Sequence, residues 1–390
     1  MNRLILPILA LTTACLRWPE VPAELEATFD TAKLNEIGVA VTEARVKKIL
    51  PGGVVWIERN GVHFTEAYGK ASVAPVHAIA QPDTIYDAAS LTKVIATTTA
   101  VMLLHERGKL SVDDLVSKHL PKFTGDGREA ITLAHLLTHT SGLRPDISVR
   151  GWDGHAECIA KCLVEKPRAA PGERFIYSDI NFQLLDEIVR RVSGQRLDAF
   201  CAKEIFAPLG MVDTGYNPPA AKHRRIAPTT VTDGKALIGT VHDPRARKTD
   251  GVAGHAGLFT TAPDLARFAR MLLNNGQHEG KPFLKPETVK HMITVQTPPT
   301  LAAKRGLGWD IDTGYSSPRG EKEGTQFSEG SFGHTGFTGP SIWIDPKSKT
   351  FVIFLCNRVH PTEQGPSVVP LRRRIGTLAA ESVKGFDFNR

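Results

Sequence analysis

Strand-like segments at both ends of the chain limit most strongly the folds that this sequence can adopt. The runs 54–59 and 62–68 flank Asn60-Gly61, the dipeptide that best tolerates the positive φ angles of a two-residue hairpin turn. The runs 341–344 and 350–357 flank a longer polar turn. Two hairpins so far apart in sequence predict one antiparallel sheet assembled from both chain ends.

The segments between and outside these hairpins have helical periodicity. A stretch ending before Leu50 and the tail 368–383 both read as amphipathic helices that cover the sheet. Periodicity and glycine stop signals predict further helices over Leu91–Glu106, Leu133–Thr138, Asp179–Val192 and Pro263–Leu273. We therefore predict an α+β fold in which residues 20–115 and 240–390 form the sheet domain, flanked by N- and C-terminal helices, and residues 116–239 form a mostly helical insertion.

The N-terminus has the features of an export signal, assigned to residues 1–19. Arg3 precedes an apolar stretch, 4–14, that is too short to cross a bilayer as a permanent helix. Residues 12–15 resemble a bacterial lipoprotein cleavage box, although Thr12 stands where leucine is usual. Both a lipidated and an unlipidated Cys15 remain open. We expect an exported protein, periplasmic or held at the cell envelope, with membrane contact only through a lipid at Cys15.

Charge argues against nucleic acid as a partner. The chain has 48 Lys and Arg against 41 Asp and Glu, a net charge of +7. The two signs are interspersed, and the one dense basic run is Arg372-Arg373-Arg374. A solvated surface explains this charge, and we expect no nucleic-acid partner.

Cysteines and histidines do not form a convincing metal pattern. Cys158 and Cys162 are four residues apart, with no second pair at zinc-site spacing, and we expect buried thiols. Export would permit disulfides, but the sequence leaves their pairing open. His135 and His139 have the spacing of two ligands on a helix, yet no glutamate follows His135 as in H-E-x-x-H. We expect neither a metal nor a cofactor.

Ser90 and Lys93 are the first candidates for chemistry. They lie three residues apart at a predicted helix start, which brings both side chains to one face. The helix N-terminus disfavours an ammonium at Lys93, so this lysine is predicted to accept a proton near neutral pH and to activate Ser90. One S-x-x-K pair is expected by chance in a chain of about this length, so a serine cap beside a surface lysine is an equal reading of this motif alone.

Two later segments add candidate groups. Tyr177 follows a turn and precedes a predicted helix, where its phenol can act as a general base beside a lysine ammonium; alone, a core tyrosine is the commoner reading. Small residues in the segment 331–339 let a strand edge approach a ligand. The amides of Phe337 and Ser90 are predicted to form an oxyanion hole, and His334 and Thr335 to hydrogen bond substrate; a glycine-rich turn is the alternative.

The order S-x-x-K, Y-S-D and H-T-G resembles the beta-lactamase-related serine hydrolases. This group includes class C beta-lactamases, D-alanyl-D-alanine carboxypeptidases, and esterases and amidases of the same fold. Further similar stretches are I-T-L-A-H-L-L-T-H-T-S-G-L from residue 131 and G-V-A-G-H-A-G-L-F from residue 251. The resemblance spans roughly residues 30 to 385.

The resemblance implies an acyl-enzyme cycle on an ester, an amide or a D-amino-acid peptide. Ser90 would be the nucleophile, Lys93 and Tyr177 the proton-transfer pair, and water the final acceptor. The substrate is a small molecule or peptide, including one derived from the cell wall, bound by Asp179, His334, Thr335, Gly336 and Phe337.

Two positions depart from the family pattern. Asp179 stands where many members have asparagine, and its carboxylate would hold Lys93 as a cation and shift the base role to Tyr177. His334 stands where many members have lysine, which argues against strong recognition of a substrate carboxylate. The alternative function is a penicillin-binding or sensor module of the same fold that does not turn over. Keeping nucleophile and base together favours an enzyme.

Overall fold

The computed structural model of the protein describes residues 22–313 and 318–388. The predictions of an export signal and of a lipid at Cys15 fall on residues outside these ranges. None of the helices within them has the length and apolar character needed to cross a membrane.

Helices fill the middle of the chain and lie at both of its described ends. The α-helices are α1 Ala23–Thr28, α2 Thr31–Val46, α3 Thr99–Glu106, α4 Val116–His119, α5 Leu133–Leu137, α6 Gly154–Leu163, α7 Asp179–Ser193, α8 Leu197–Cys201, α9 Pro244–Lys248, α10 Ala262–Leu273, α11 Pro286–Ile293 and α12 Val369–Ser382. Lys93–Thr98 and Ala202–Phe206 are π-helical, and Arg128–Ala130 and Ala220–Arg225 are 3₁₀ turns.

Strands are concentrated toward the two ends. They are β1 Gly52–Arg59, β2 Val62–Ser72, β3 Ala78–Ile79, β4 Tyr86–Asp87, β5 Gly215–Tyr216, β6 Val231–Thr232, β7 Lys235–Ala236, β8 Leu258–Thr260, β9 Gln277–His278, β10 Lys281–Pro282, β11 Lys304–Arg305, β12 Asp310–Asp312, β13 Phe332–Thr335, β14 Ser341–Asp345 and β15 Thr350–Cys356.

The main sheet joins the two chain ends. Its order in the described residues is β11-β12-β13-β14-β15-β1-β2-β3, with antiparallel neighbours. Strand β1 pairs with β2 across a two-residue turn in which Asn60 and Gly61 have φ of 51° and 87°. On its other side β1 pairs with β15. The predicted fold class and both hairpins are confirmed.

Successive side chains of β1 point to opposite faces of the sheet and belong to two separate hydrophobic clusters. Val55 and Ile57 belong to one cluster, with the apolar faces of α2 and α12. Val54 and Trp56 face the opposite way, into a cluster with the helices of the middle of the chain. Because successive strand residues point to opposite faces, one strand contributes to both cores.

One predicted helix differs in detail. The segment Leu91–Glu106 is helical throughout, but Lys93–Thr98 is π-helical, a form that is rare and often found at functional sites. The spacing of leucine and alanine residues does not distinguish a π-helix from an α-helix. All four described cysteines are buried and free, as expected of thiols in a packed core.

Candidate active site

Ser90 follows a backbone segment that is held from several sides. Strand β4 pairs with β8, and the amide of Ala88 donates to the Leu258 carbonyl at 2.8 Å. The amide of Ala89 donates to the buried carboxylate of Asp87 at 2.8 Å. Ala89 has a φ of 45°, an unfavourable conformation for a residue with a Cβ. This strained position immediately precedes Ser90 and fixes its direction.

Lys93 is fully buried and contacts three acceptors. Its Nζ lies 3.0 Å from Ser90 Oγ, 3.1 Å from the His255 carbonyl oxygen and 2.6 Å from Asp179 Oδ1. An ammonium has three hydrogens to donate; the Ser90 hydroxyl and the His255 carbonyl accept two of them, and Asp179 forms an ion pair with the same group. The geometry is that of a lysine cation hydrogen bonded to a serine.

The prediction that Lys93 accepts a proton near neutral pH was wrong for this protein. Burial acts to lower the pKa of Lys93, but the charge of Asp179, together with Tyr177, outweighs it and raises the pKa above its usual value. The effect of the helix N-terminus on Lys93 is outweighed by the carboxylate of Asp179, the first residue of α7. Lys93 therefore remains an ammonium at neutral pH, as the aspartate at position 179 had suggested.

Tyr177 lies against this ammonium and lines the cleft beside Ser90. Its ring centroid is 5.0 Å from Lys93 Nζ. The ring stacks on His139 at 4.3 Å and faces His334 at 6.1 Å. His139 accepts the Ser178 amide at Nδ1, and burial holds its pKa well below the usual value. A neutral imidazole thus supports the tyrosine ring.

His334 is placed differently from the substrate-binding side chain that we predicted. It is 2% exposed, and its Nδ1 donates to the Thr335 carbonyl at 2.9 Å. Burial, with the charges of Arg305 and Lys93, holds its pKa well below the usual value. A neutral, buried imidazole therefore occupies position 334, and the residues that line the cleft are its neighbours Thr335, Gly336 and Phe337.

The segment after β13 lies directly beside the serine loop. A Cβ added to Gly336 would fall 2.7 Å from the Ala88 carbonyl oxygen and 3.2 Å from Ala89 Cβ, so only glycine permits this approach. Within the described residues, the amides of Ser90 and Phe337 donate to no protein acceptor. Two free amides at one end of a cleft are the donors that an oxyanion requires.

Ionic pairs extend from Lys93 along the opposite wall. His255 Nε2 lies 3.1 Å from Asp243 Oδ1; burial acts to lower the histidine pKa, but Asp243 raises it to about 9. Asp146 pairs with Arg245 at 2.7 Å, yet burial raises the pKa of its carboxyl to about 7. Both His255 and Asp243 line the wall of the cleft.

The cleft has a volume of about 800 Å³. Besides the serine, tyrosine and aspartate candidates, its walls include residues that the sequence analysis did not assign to a site: Asp146, Arg245, Arg358, Glu363, Val368 and Arg372. Arg372 belongs to the basic run that we interpreted as solvated surface, but it is 6% exposed. Its spacing from Ile375 and Ala379 on α12 is that of a helix face, and this signal was available in the sequence.

His135 and His139 do not form the alternative metal pair. His135 Nδ1 contacts Thr132 at the start of α5, whereas His139 Nδ1 accepts the Ser178 amide. The described residues contain no group of three or more histidines, cysteines and acids able to hold a metal ion.

The fold thus places a serine-lysine pair at a cleft, beside an antiparallel sheet that packs against α2 and α12 on one face. Residues 39–376 match the beta-lactamase family. The chain therefore belongs to the beta-lactamase family of serine hydrolases.

Relatives and solved structures agree with this assignment. A protein of Escherichia coli O157:H7 named "Putative D-alanyl-D-alanine carboxypeptidase" is 30% identical over 90% of this chain and 88% of its own length. An "N-acetylmuramyl-L-alanine amidase" of Bacillus subtilis strain 168 is 30% identical over 92% and 89%. The solved structure of a class C beta-lactamase superposes with a TM-score of 0.74 at 21% identity, covering 92% of this chain and 98% of that one. The structural likeness shows the fold.

Proposed function

We propose that the protein is a serine hydrolase that works through an acyl-enzyme on Ser90. The observation that carries this proposal is the contact of the Lys93 ammonium with Ser90 Oγ at 3.0 Å, beside Tyr177 and two free amides. A binding module would not need a nucleophile, a cation and an oxyanion site at one point in a cleft.

In this mechanism Tyr177 accepts and returns the proton of the Ser90 hydroxyl, and the positively charged Lys93 stabilises nearby negative charge. Ser90 Oγ attacks the substrate carbonyl carbon, its proton passes to the Tyr177 oxygen as general base, and the carbonyl electron pair moves to the carbonyl oxygen. Collapse of the tetrahedral species breaks the bond to the leaving group, which takes the proton from Tyr177. Water then attacks the acyl carbon by the same route and releases Ser90. Lys93 remains an ammonium throughout and stabilises the negative charge on its neighbours.

For the substrate we propose an ester or a D-amino-acid peptide. His334 is neutral and buried, so it supplies no cation for the carboxylate of a penicillin. The names of the carboxypeptidase and amidase relatives are compatible with a peptide of the cell wall. We expect fast hydrolysis of short-chain aryl esters and poor turnover of penicillins; efficient hydrolysis of cephalosporins would rule out this choice of substrate.

The test is to treat the mature protein with a fluorophosphonate and with a penicillin, and to follow adducts by intact mass and peptide mapping. Ser90→Ala should abolish labelling, whereas Ser367→Ala, which removes a hydroxyl elsewhere in the same cleft, should leave it intact. Loss of the penicillin adduct with time would indicate turnover, and a permanent adduct would indicate a sensor. Absence of any adduct in the parent protein would refute the proposed function.

A further inference from the structure

The turn 336–340 between β13 and β14 is held by an arginine of the C-terminal helix. Arg372 Nη2 donates to the carbonyl oxygens of Gly336 at 2.6 Å and Pro340 at 3.1 Å, and its Nε donates to Gly339 at 3.1 Å. A second arginine, Arg358, holds the remaining two carbonyls, those of residues 337 and 338. Every carbonyl of the turn therefore has a donor, and Arg372 serves three of the five.

Burial of Arg372 in this position removes water from its charged guanidinium, which is energetically unfavourable. Its guanidinium is buried, and no carboxylate of the described residues lies within ion-pair distance of it. Burial lowers its pKa to about 10, so the group is still a cation at neutral pH. A buried arginine without a carboxylate partner is uncommon, because the cation loses its hydration. Here the compensation comes from peptide carbonyls alone.

One of these carbonyls belongs to the peptide group that carries the candidate oxyanion donor. The Gly336 oxygen and the Phe337 amide hydrogen are the two ends of the same planar unit. A cation that donates to the oxygen withdraws electron density across the unit and makes the amide a stronger donor, because hydrogen bonds in a chain polarise one another. The bond at 2.6 Å is the shortest of the three that Arg372 makes.

We propose that Arg372 is a positioning residue for the oxyanion hole, which fixes the Gly336–Phe337 peptide and strengthens its amide as a donor. This inference rests on the proposed function, since it concerns the oxyanion of that reaction. It predicts that the arginine stabilises the tetrahedral species more than the bound substrate.

The experiment compares Arg372→Gln and Arg372→Lys with Arg373→Gln, a matched control on the adjacent residue, which does not line the cleft. Two quantities are measured for each: the single-turnover rate of acylation by an aryl ester, and the inhibition constant of phenylboronic acid, which forms a reversible tetrahedral adduct on the serine. Removing a whole oxyanion donor lowers turnover about 10²- to 10³-fold, so weakening one should cost about 10- to 100-fold.

For Arg372→Gln we expect the acylation rate and the boronic acid affinity to fall by similar factors, with little change in the ester concentration at half-saturation. Arg372→Lys keeps the charge but has one nitrogen for three carbonyls, so its losses should be smaller. A folded Arg372→Gln variant that matches the control in both quantities would overturn the inference. So would a variant whose loss lies only in substrate binding.

If Arg372→Gln does not fold, the boronic acid affinity of Arg372→Lys tests the positioning role of Arg372. A drop in boronic acid affinity of about threefold or more relative to Arg373→Gln supports the role, and equality overturns it. The proposed function is judged separately, because it depends on labelling of Ser90 in the parent protein. A labelled parent with unaffected Arg372 variants would refute only the inference.

Discussion

Asp179 sets the charge of Lys93. The carboxylate at 2.6 Å stabilises the ammonium and opposes the effect of burial, which alone favours a neutral amine. This one side chain therefore changes the distribution of protons in the site.

Asp179→Asn should therefore lower the pKa of Lys93. A neutral lysine would then be available to accept the Ser90 proton, and the acidic limb of the pH dependence of acylation should move to lower pH. The measurement is the single-turnover acylation rate from pH 5 to about 10. Superimposable pH profiles for the parent and the variant would show that the carboxylate does not control the base.

Tyr177→Phe tests whether the Tyr177 oxygen is the general base that accepts the Ser90 proton. The variant keeps the ring that stacks on His139 at 4.3 Å but loses the oxygen beside Lys93. We expect acylation to slow by about 10²- to 10⁴-fold, the usual contribution of a positioned base. His135→Ala is the control, because that histidine contacts Thr132 at a helix start and should leave the chemistry unchanged. A Tyr177→Phe variant with the parent rate would assign the base to another group.

At the scale of elements, helix α9 and the loop before β8 are joined by one ion pair. Asp243 accepts the amides of Arg245 and Ala246 at the start of α9 and also pairs with His255, whose carbonyl accepts from Lys93. The Asp243–His255 pair thus connects the start of α9 to Lys93.

This pair should make stability depend on pH in the alkaline range. The pKa of His255 is about 9 in the folded protein against 6.5 as its ordinary value, so its contribution is complete below pH 6.5 and is lost as pH rises through 9. The shift corresponds to roughly 3 kcal/mol in the free energy of unfolding. Denaturant titrations between pH 6 and 10 should show a shallower decline for His255→Gln than for the parent. Parallel curves would mean that the pair contributes little.

The sequence predicted those structural elements that depend on interactions between residues close together in the chain. Asn60-Gly61 predicted its hairpin because the turn needs positive φ at both positions, and the apolar spacing of the 368–383 tail predicted α12. It did not predict the hydrogen bonds of Arg372 to the turn 336–340, because these depend on groups brought together from distant parts of the chain. The raised pKa of Lys93 was also not predicted from local sequence, since it depends on Asp179, which lies in another helix.

At the scale of the whole molecule, the sheet is stabilised from both sides. Leu378 of α12 is fully buried in the cluster that contains Val55 of β1, whereas Val54 belongs to the cluster on the face of the cleft. Because one strand serves both clusters, loss of packing on the outer face should reach the active site.

Leu378→Ala should lower the free energy of unfolding by about 2–5 kcal/mol, the usual effect of removing a buried leucine side chain. Tryptophan fluorescence and Ser90 labelling should be lost at the same, lower temperature. Val46→Ala is the control, since Val46 is 77% exposed at the end of α2 and its truncation should change stability by less than about 0.5 kcal/mol. Labelling that survives the fluorescence transition would show that the two faces unfold independently.

The pairing of β1 with β15 also governs the order of events during synthesis. Residues 52–59 leave the ribosome long before their partner, residues 350–356, is made. Until then the first hairpin presents an open, apolar strand edge that can pair with other chains. We therefore expect the newborn polypeptide to need chaperone protection until residues 350–356 have been made, and ribosome stalling before residue 350 should yield aggregation-prone fragments rather than a folded half.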